Sequence, residues 1–362
     1  MSTPNEQRGR LAQLWRDAAA LELDAALVSA LPNVRYLSGF TGSNALLLVT
    51  ERQTTLLTDP RYTLQARSET AGSGVKVVIA KKSLEEALTP RLAKLKRIGF
   101  ENNRLSYRSW EHLQRNLPLS ASLKPLGSVL EQQRMVKSPT EIAAIRESVN
   151  INSQAFAAAL TRFRPGMTET DFAAEIEYQM RLLGADKPAF DTIVAFKKNS
   201  ALPHARPGNA RIDGNGLLLI DMGTFRGGYA SDMTRCVHLG KPGAKTRDLY
   251  RAVLEAQLAG VNAVAPGVSA GDVDVATRRV LRQHGLDKYF VHSTGHGLGL
   301  EIHEAPRLGR ADETKLQAGM AITVEPGAYI DGVGGVRIED TVLTTPTGVE
   351  ILTPTAKELV FL

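Results

Sequence analysis

Pro165-Gly166-Met167-Thr168, with Asp171 and Gly184 behind it, returns 101 residues later as Pro266-Gly267-Val268-Ser269 with Asp272 and Gly285. Each copy follows a long amphipathic helix and opens another. The strand-like segments downstream repeat as well. Ile220-Asp221-Met222-Gly223 answers Val324-Glu325-Pro326-Gly327 at an offset of 104, and Ser231-Asp232 answers Ile338-Glu339 at 107. One plan is used twice. The expected product is a pseudo-symmetric shell of helices and sheet in which the repeated carboxylates approach a shared axis.

Upstream of the repeat, Ser138-Pro139-Thr140-Glu141 combines an N-cap serine, a proline at the first helical position and a glutamate three residues on. A new helix, and with it a new domain, is expected to start there. Before it, Leu11, Leu14, Trp15 and Ala18 form a helical stripe, and Ala25–Val28, Ala45–Val49, Thr54–Thr58, Val75–Ile79 and Ile98–Phe100 read as short strands. The expected organisation is α/β (α+β): a small α/β domain over about residues 1–130, then a larger domain of antiparallel sheet and flanking helices over 134–362.

The 362 residues are 43% hydrophobic and 23% charged, a globular composition that excludes collagen-like, coiled-coil and disordered classes. The net charge of +6 is dispersed, and its densest run, Arg91, Lys94, Lys96 and Arg97, reads as the end of one helix, so no nucleic-acid partner is expected. Cys236 is the only cysteine and has no internal partner. Met1 to Trp15 lacks the apolar run of a signal peptide. No apolar stretch approaches the ~20 residues that span a bilayer. These features predict a soluble, cytoplasmic protein without a membrane partner.

The chemistry is concentrated in the repeat. Asp221 ends an apolar run, and Asp232 is expected on the next strand, Tyr229 to Val237, across a Gly-Gly turn. In the second copy Thr323 shares a strand face with Glu325, and Arg337 with Glu339. Four carboxylates gathered in an apolar sheet repel one another and lose hydration unless a cation compensates them. His292-Ser293-Thr294-Gly295-His296-Gly297-Leu298-Gly299 supplies an imidazole, with glycines on both sides of His296 that permit close backbone approach. An oxygen-rich set of this kind suits Mn²⁺ and similar ions better than thiolate-selected zinc, and it can supply two bridging carboxylates for a dinuclear site. Gly295-x-Gly297-x-Gly299 lacks the pattern that follows a dinucleotide loop. There is no Walker loop, His-Glu-x-x-His zincin motif or nucleophile-elbow serine.

Taken together, Ile220-Asp221-Met222-Gly223, Ser231-Asp232-Met233-Thr234-Arg235, Gly295-His296-Gly297, His303-Glu304-Ala305-Pro306, Val324-Glu325-Pro326-Gly327 and Val336-Arg337-Ile338-Glu339-Asp340 resemble the pita-bread metallopeptidases. With the first, creatinase-like domain included, the resemblance extends over essentially the whole chain to the Xaa-Pro dipeptidase (prolidase) and aminopeptidase P family. It implies two divalent ions, Mn²⁺ foremost with Co²⁺ or Zn²⁺ as alternatives. It assigns Asp221 to one ion and His296 with Glu325 to the other, while Asp232 and Glu339 bridge them. It implies Glu325 as proton shuttle, His204 and His303 as partners of the developing oxyanion, and His292, Tyr329 and Arg337 as further residues of the site.

Arg307, four residues after His303, matches the arginine that holds a dipeptide's free carboxylate in prolidases. Arg35, in an expected turn Asn33-Val34-Arg35-Tyr36, matches a position near a domain or subunit cleft. The expected activity is hydrolysis of Xaa-Pro bonds in dipeptides, with aminopeptidase P action on longer Xaa-Pro-Yaa peptides as the alternative. A metal-free creatine amidinohydrolase and a non-catalytic binding module on the same fold are the remoter ones. A homodimer is expected from the resemblance.

Overall fold

Ser138 caps the helix Pro139–Arg162 as the sequence predicts: its Oγ accepts from Glu141 N at 3.3 Å, and Glu141 Oε2 accepts from Ser138 N at 2.9 Å. The computed structural model describes residues 2–362, and the chain divides into two units between Arg134 and Met135.

The first unit holds a six-stranded sheet. Its spatial order is Val75–Ile79, Thr54–Thr58, Ala45–Thr50, Ala25–Val28, Arg97–Phe100 and Ser122–Pro125. Ala25–Val28 pairs antiparallel with Ala45–Thr50 and parallel with Arg97–Phe100, so the sheet is mixed. Leu84, Leu88 and Leu92 recur at the four-residue spacing of one helical face and pack with Leu27, Leu48, Leu57 and Ile98. The helix Pro4–Ala20 buries Leu11, Leu14 and Ala18, while Trp15 is only half-buried.

The structure departs from the sequence expectation at two places. The basic run is not one helix end: the helix stops at Leu92, and Arg97 already belongs to the next strand. The residues Asn33 to Tyr36 form no turn but lie inside the helix Leu31–Ser38, which ends on Gly39 in the left-handed conformation at φ 78°.

In the second unit the duplication is structural. Thr168 caps the helix Glu169–Leu182 by accepting from Asp171 N, and Ser269 caps Ala270–Gln283 by accepting from Asp272 N. Gly166 N donates to Ile212 O and Gly267 N to Leu316 O, so each Pro-Gly turn is tied to the same relative place in its half. The helical pair of the first half packs through Phe156, Phe172 and Ile176 against Ile220, Met222 and Val237. In the second half Val261, Val264 and Val273 pack against Ile322, Val324 and Val342.

Each half places an antiparallel pair of strands at the centre of its sheet, Gly216–Met222 with Met233–Leu239 and Ala321–Val324 with Asp340–Thr345. Gly216–Met222 is buried on both faces. Leu218, Ile220 and Met222 join one core, whereas Leu217 and Leu219 join another with Cys236, Val336 and Ile338. Asp221 has the parity of Leu217 and Leu219, so it leaves the strand on the side opposite the helices Pro139–Arg162 and Glu169–Leu182.

Candidate active site

Asp221, Asp232, His296, Glu325 and Glu339 line one cavity of about 710 Å³ in the second unit. His204, His292, His303, Arg307 and Arg337 line the same cavity. Tyr329 stands behind it, its hydroxyl 2.9 Å from His292 Nε2 and 2.7 Å from Arg337 Nη1. Arg35 is carried by the first unit, and the lining of this cavity comes entirely from the second.

The strands position the cluster through their ends. Asp221 is the penultimate residue of Gly216–Met222, opposite Thr234. Asp232 lies one residue before Met233–Leu239 rather than within a strand, because the segment after Tyr229–Ala230 is irregular up to Met233. Glu325 directly follows Ala321–Val324, and Thr323 Oγ1 donates to its Oε1 at 3.2 Å, the same-face relationship expected from the period of two. His296 sits in the three-residue strand Gly295–Gly297. A side chain at Gly295 would reach within 2.0 Å of Thr323 O and one at Gly297 within 2.2 Å of Ala305 O, so the glycines let three strands meet around the imidazole.

His296 Nε2 lies 3.4 Å from Glu325 Oε1 and 3.6 Å from Asp232 Oδ2, while its Nδ1 is 3.0 Å from Gly297 O. That carbonyl can only accept, so Nδ1 carries the proton and the Nε2 lone pair faces the carboxylates. One ligand atom each from Asp232, His296 and Glu339 falls within 4.8 Å of the others.

The electrostatics favour a cation among these groups. Burial first, and then the neighbouring carboxylates, holds the Asp232 and Glu339 carboxyls well above their usual range. Burial pushes Glu325 up to about 8. His292 and His296 are pushed down to about 4, again by burial first. Asp221 Oδ1 and Glu339 Oε1 are buried oxygens with no hydrogen-bond donor among the described residues. Paired, oxygen-rich and short of donors, this set fits divalent cations.

Among the described residues Arg337 is the one guanidinium paired with a carboxylate of the cluster. Its Nη2 donates to Asp221 Oδ2 at 2.5 Å and its Nε to Thr234 Oγ1 at 3.0 Å, and Thr234 in turn donates to Glu339 Oε2 at 2.6 Å. The rings of His296 and His303 are 4.4 Å apart, and burial followed by His204 lowers the His303 pKa, so its imidazole is neutral at pH 7. Arg307 lies opposite His296 in the strand register and donates through Nε to Ser293 Oγ at 3.2 Å. Cys236 is buried and inert, its thiol pushed up to about 12 by burial.

The sequence reading missed what holds the 290–294 segment. Arg278 stacks on Phe290 at 4.2 Å, donates to Phe290 O at 2.9 Å and to His292 O at 2.5 Å, and pairs with Asp274, which accepts from Thr294 Oγ1 at 2.8 Å. A charged i,i+4 pair on the buried face of an amphipathic helix was the available signal. Phe190, Asp191 and Arg206 also line the cavity and carried no motif.

The fold and cluster define a metallopeptidase: residues 143–346 match metallopeptidase family M24 and residues 10–136 the creatinase/prolidase N-terminal domain, and the chain belongs to that family. It is 38% identical to an Xaa-Pro dipeptidase of Pyrococcus horikoshii over 339 residues, 93% of this chain and 95% of that one. The solved Xaa-Pro dipeptidase from Bacillus anthracis superposes with a TM-score of 0.94 at 36% identity, covering 99% of this chain and 100% of the other. The X-Pro aminopeptidase from Thermotoga maritima superposes at 0.87 with 34% identity, covering 96% and 100%. The architecture is the pita-bread fold behind a creatinase-like domain, as the sequence led us to expect.

Proposed function

We propose that the protein hydrolyses Xaa-Pro dipeptides with two divalent metal ions held by Asp221, Asp232, His296, Glu325 and Glu339. The observation that carries this reading is the single cavity that contains all five of these residues together with Arg307. When bound, such ions would supply Lewis acidity and lower the pKa of the attacking water. The oxygen-rich donor set favours Mn²⁺ over Zn²⁺, with Co²⁺ between them in chemistry.

Each residue then has a task. Glu325 takes a proton from the attacking water and delivers it to the departing proline nitrogen. His303 and His204 offer N–H groups to the carbonyl oxygen as negative charge grows there. Arg307 receives the substrate's C-terminal carboxylate through a two-bond fork. Arg337, braced by Tyr329 and by Pro203 O at 3.1 Å, keeps Asp221 and Thr234 in place, and His292 steadies the Tyr329 hydroxyl.

The similarity to the X-Pro aminopeptidase of Thermotoga maritima supports a second reading, in which longer Xaa-Pro-Yaa peptides are the substrates. The discriminating experiment compares kcat/KM on an Xaa-Pro dipeptide and an Xaa-Pro-Yaa tripeptide after Mn²⁺ loading. A clear preference for the dipeptide is expected, and a preference for the tripeptide would establish the second reading. A homodimer in the cytoplasm completes the proposal, supported by the family resemblance and by the lone cysteine, which needs no oxidising compartment. Among the described residues no helix is long and apolar enough to cross a membrane.

A further inference from the structure

Asp340, the residue after Glu339, is fully buried and turned into a network of its own. Arg235 Nη2 lies 2.7 Å from its Oδ1, and Lys357 Nζ lies 2.5 Å from its Oδ2. Gln257 Nε2 donates to the same Oδ2 at 2.9 Å. The Arg235 guanidinium also spans the two strand ends that carry the cluster, donating through Nη1 to Thr234 O at 2.9 Å and to Glu339 O at 2.5 Å. Its remaining bonds go to the C-terminal segment, to Ala356 O at 2.9 Å and to Thr355 O at 2.6 Å. A few residues earlier Thr353 Oγ1 accepts from Thr341 N at 3.0 Å, and Thr341 Oγ1 donates to Asp232 O at 2.9 Å.

We infer that the segment Thr353 to Lys357 fastens the backbone behind Asp232 and Glu339, so that affinity for the metal ions is set in part from the C-terminal end of the chain. This rests on the reading of Asp232 and Glu339 as shared ligands. The physical reason is pre-organisation. Two buried carboxylates that repel each other hold a common position only if their backbones cannot yield, and outer partners of ligands are worth roughly 10- to 100-fold in metal affinity. Lys357 and Arg235 together bring two positive charges to the single carboxylate of Asp340, so the network is also a cationic backing to an acidic cluster. Lys357 Nζ also donates to Gln257 Oε1 at 3.0 Å, and Tyr250 OH donates to the Lys357 carbonyl at 2.6 Å, so the residue is held from three sides.

The test is calorimetric titration of Mn²⁺ into the chelator-stripped full-length protein, with melting curves of the same metal-free samples. Lys357→Met and Thr353→Val are each expected to weaken Mn²⁺ binding about 10- to 100-fold, with Lys357→Arg recovering part of the loss. Thr353→Val keeps the side-chain volume and decides the matter alone if Lys357→Met does not fold. Wild-type Mn²⁺ affinity in folded Thr353→Val and Lys357→Met, with only the metal-free melting temperature lowered, would overturn the inference and leave the segment a structural one. Glu339→Ala separates the underlying reading. If that variant binds Mn²⁺ as the wild type does, Glu339 is not a ligand and the reading beneath the inference fails. If it loses metal while the Thr353 and Lys357 variants do not, only the fastening fails.

Discussion

Arg337 Nη2 and Asp221 Oδ2 stand 2.5 Å apart at the wall of the carboxylate cluster, the only ion pair that any of its four carboxylates makes with an arginine or lysine among the described residues. The same guanidinium reaches Thr234 and through it Glu339, so one planar group sets two of the carboxylates at once.

Lysine has a single ammonium in place of that fork. Arg337→Lys is therefore expected to lower kcat/KM and Mn²⁺ affinity together, each on the order of 10- to 100-fold. Metal titration alongside steady-state kinetics checks it; unchanged Mn²⁺ affinity would remove Arg337 from the support of the ligands.

His303 touches the cluster through the His296 ring but makes no bond to a carboxylate, and its lowered pKa keeps it a neutral donor. His303→Ala is expected to reduce kcat about a hundredfold while two Mn²⁺ remain bound, the signature of lost oxyanion stabilisation. Parallel loss of metal and turnover would make His303 a ligand or a structural residue instead.

The metal-free protein has a defined pH dependence. Glu325, raised to about 8 from 4.5, favours the folded state while protonated; that contribution is full below 4.5 and is lost as pH rises through about 8. Asp232 and Glu339, also raised, act in the same direction. His292 and His296, lowered from 6.5 to about 4, contribute fully above 6.5 and lose that contribution as pH falls towards 4. Above about pH 6.5 only the carboxyl effect is left. The chelator-stripped melting temperature should fall by on the order of 5 °C from pH 6.5 to pH 9, and Mn²⁺ should restore most at the alkaline end. A flat metal-free profile across that range would contradict the charge crowding.

Much of this was legible in the sequence because its signals are local. Five of the six strands of the first unit follow from short β-branched and leucine runs, whereas Ser122–Pro125 carries no such run, and the capping box at Ser138 fixes its helix from four adjacent residues. The cluster was legible for another reason: the duplication aligns Asp221 with Glu325 and Asp232 with Glu339, so the repeat marks the side chains. The strand expected through Asp232 begins instead at Met233, since period alone does not show where pairing starts. Helical spacing also led the basic run past Leu92, where a strand takes over. Arg235, Asp340 and Lys357 meet across more than 100 residues of chain, with no periodic pattern to announce it.

In the proposed function Arg307 reads the substrate's C-terminal carboxylate and so sets the preferred substrate length. Losing a charge-assisted carboxylate fork costs about 1.5–3 kcal/mol, roughly 10- to 150-fold in kcat/KM. Arg307→Ala should lose that factor on Xaa-Pro, and Arg307→Lys part of it, while an Xaa-Pro-Yaa tripeptide, whose carboxylate lies one residue further out, is affected far less. Equal losses on both peptides would mean that Arg307 supports its strand and reads no carboxylate.

In the proposed function the four carboxylates and His296 hold the metal on which Xaa-Pro cleavage depends. That dependence is tested most directly by stripping the purified protein with a chelator, adding Mn²⁺ in steps, and recording bound metal and Xaa-Pro dipeptide hydrolysis on the same samples. Negligible hydrolysis is expected without metal, with a rate that climbs with occupancy to a plateau at two ions per chain. Hydrolysis that persists in the stripped protein, or a fully loaded protein that leaves Xaa-Pro dipeptides intact, would contradict it.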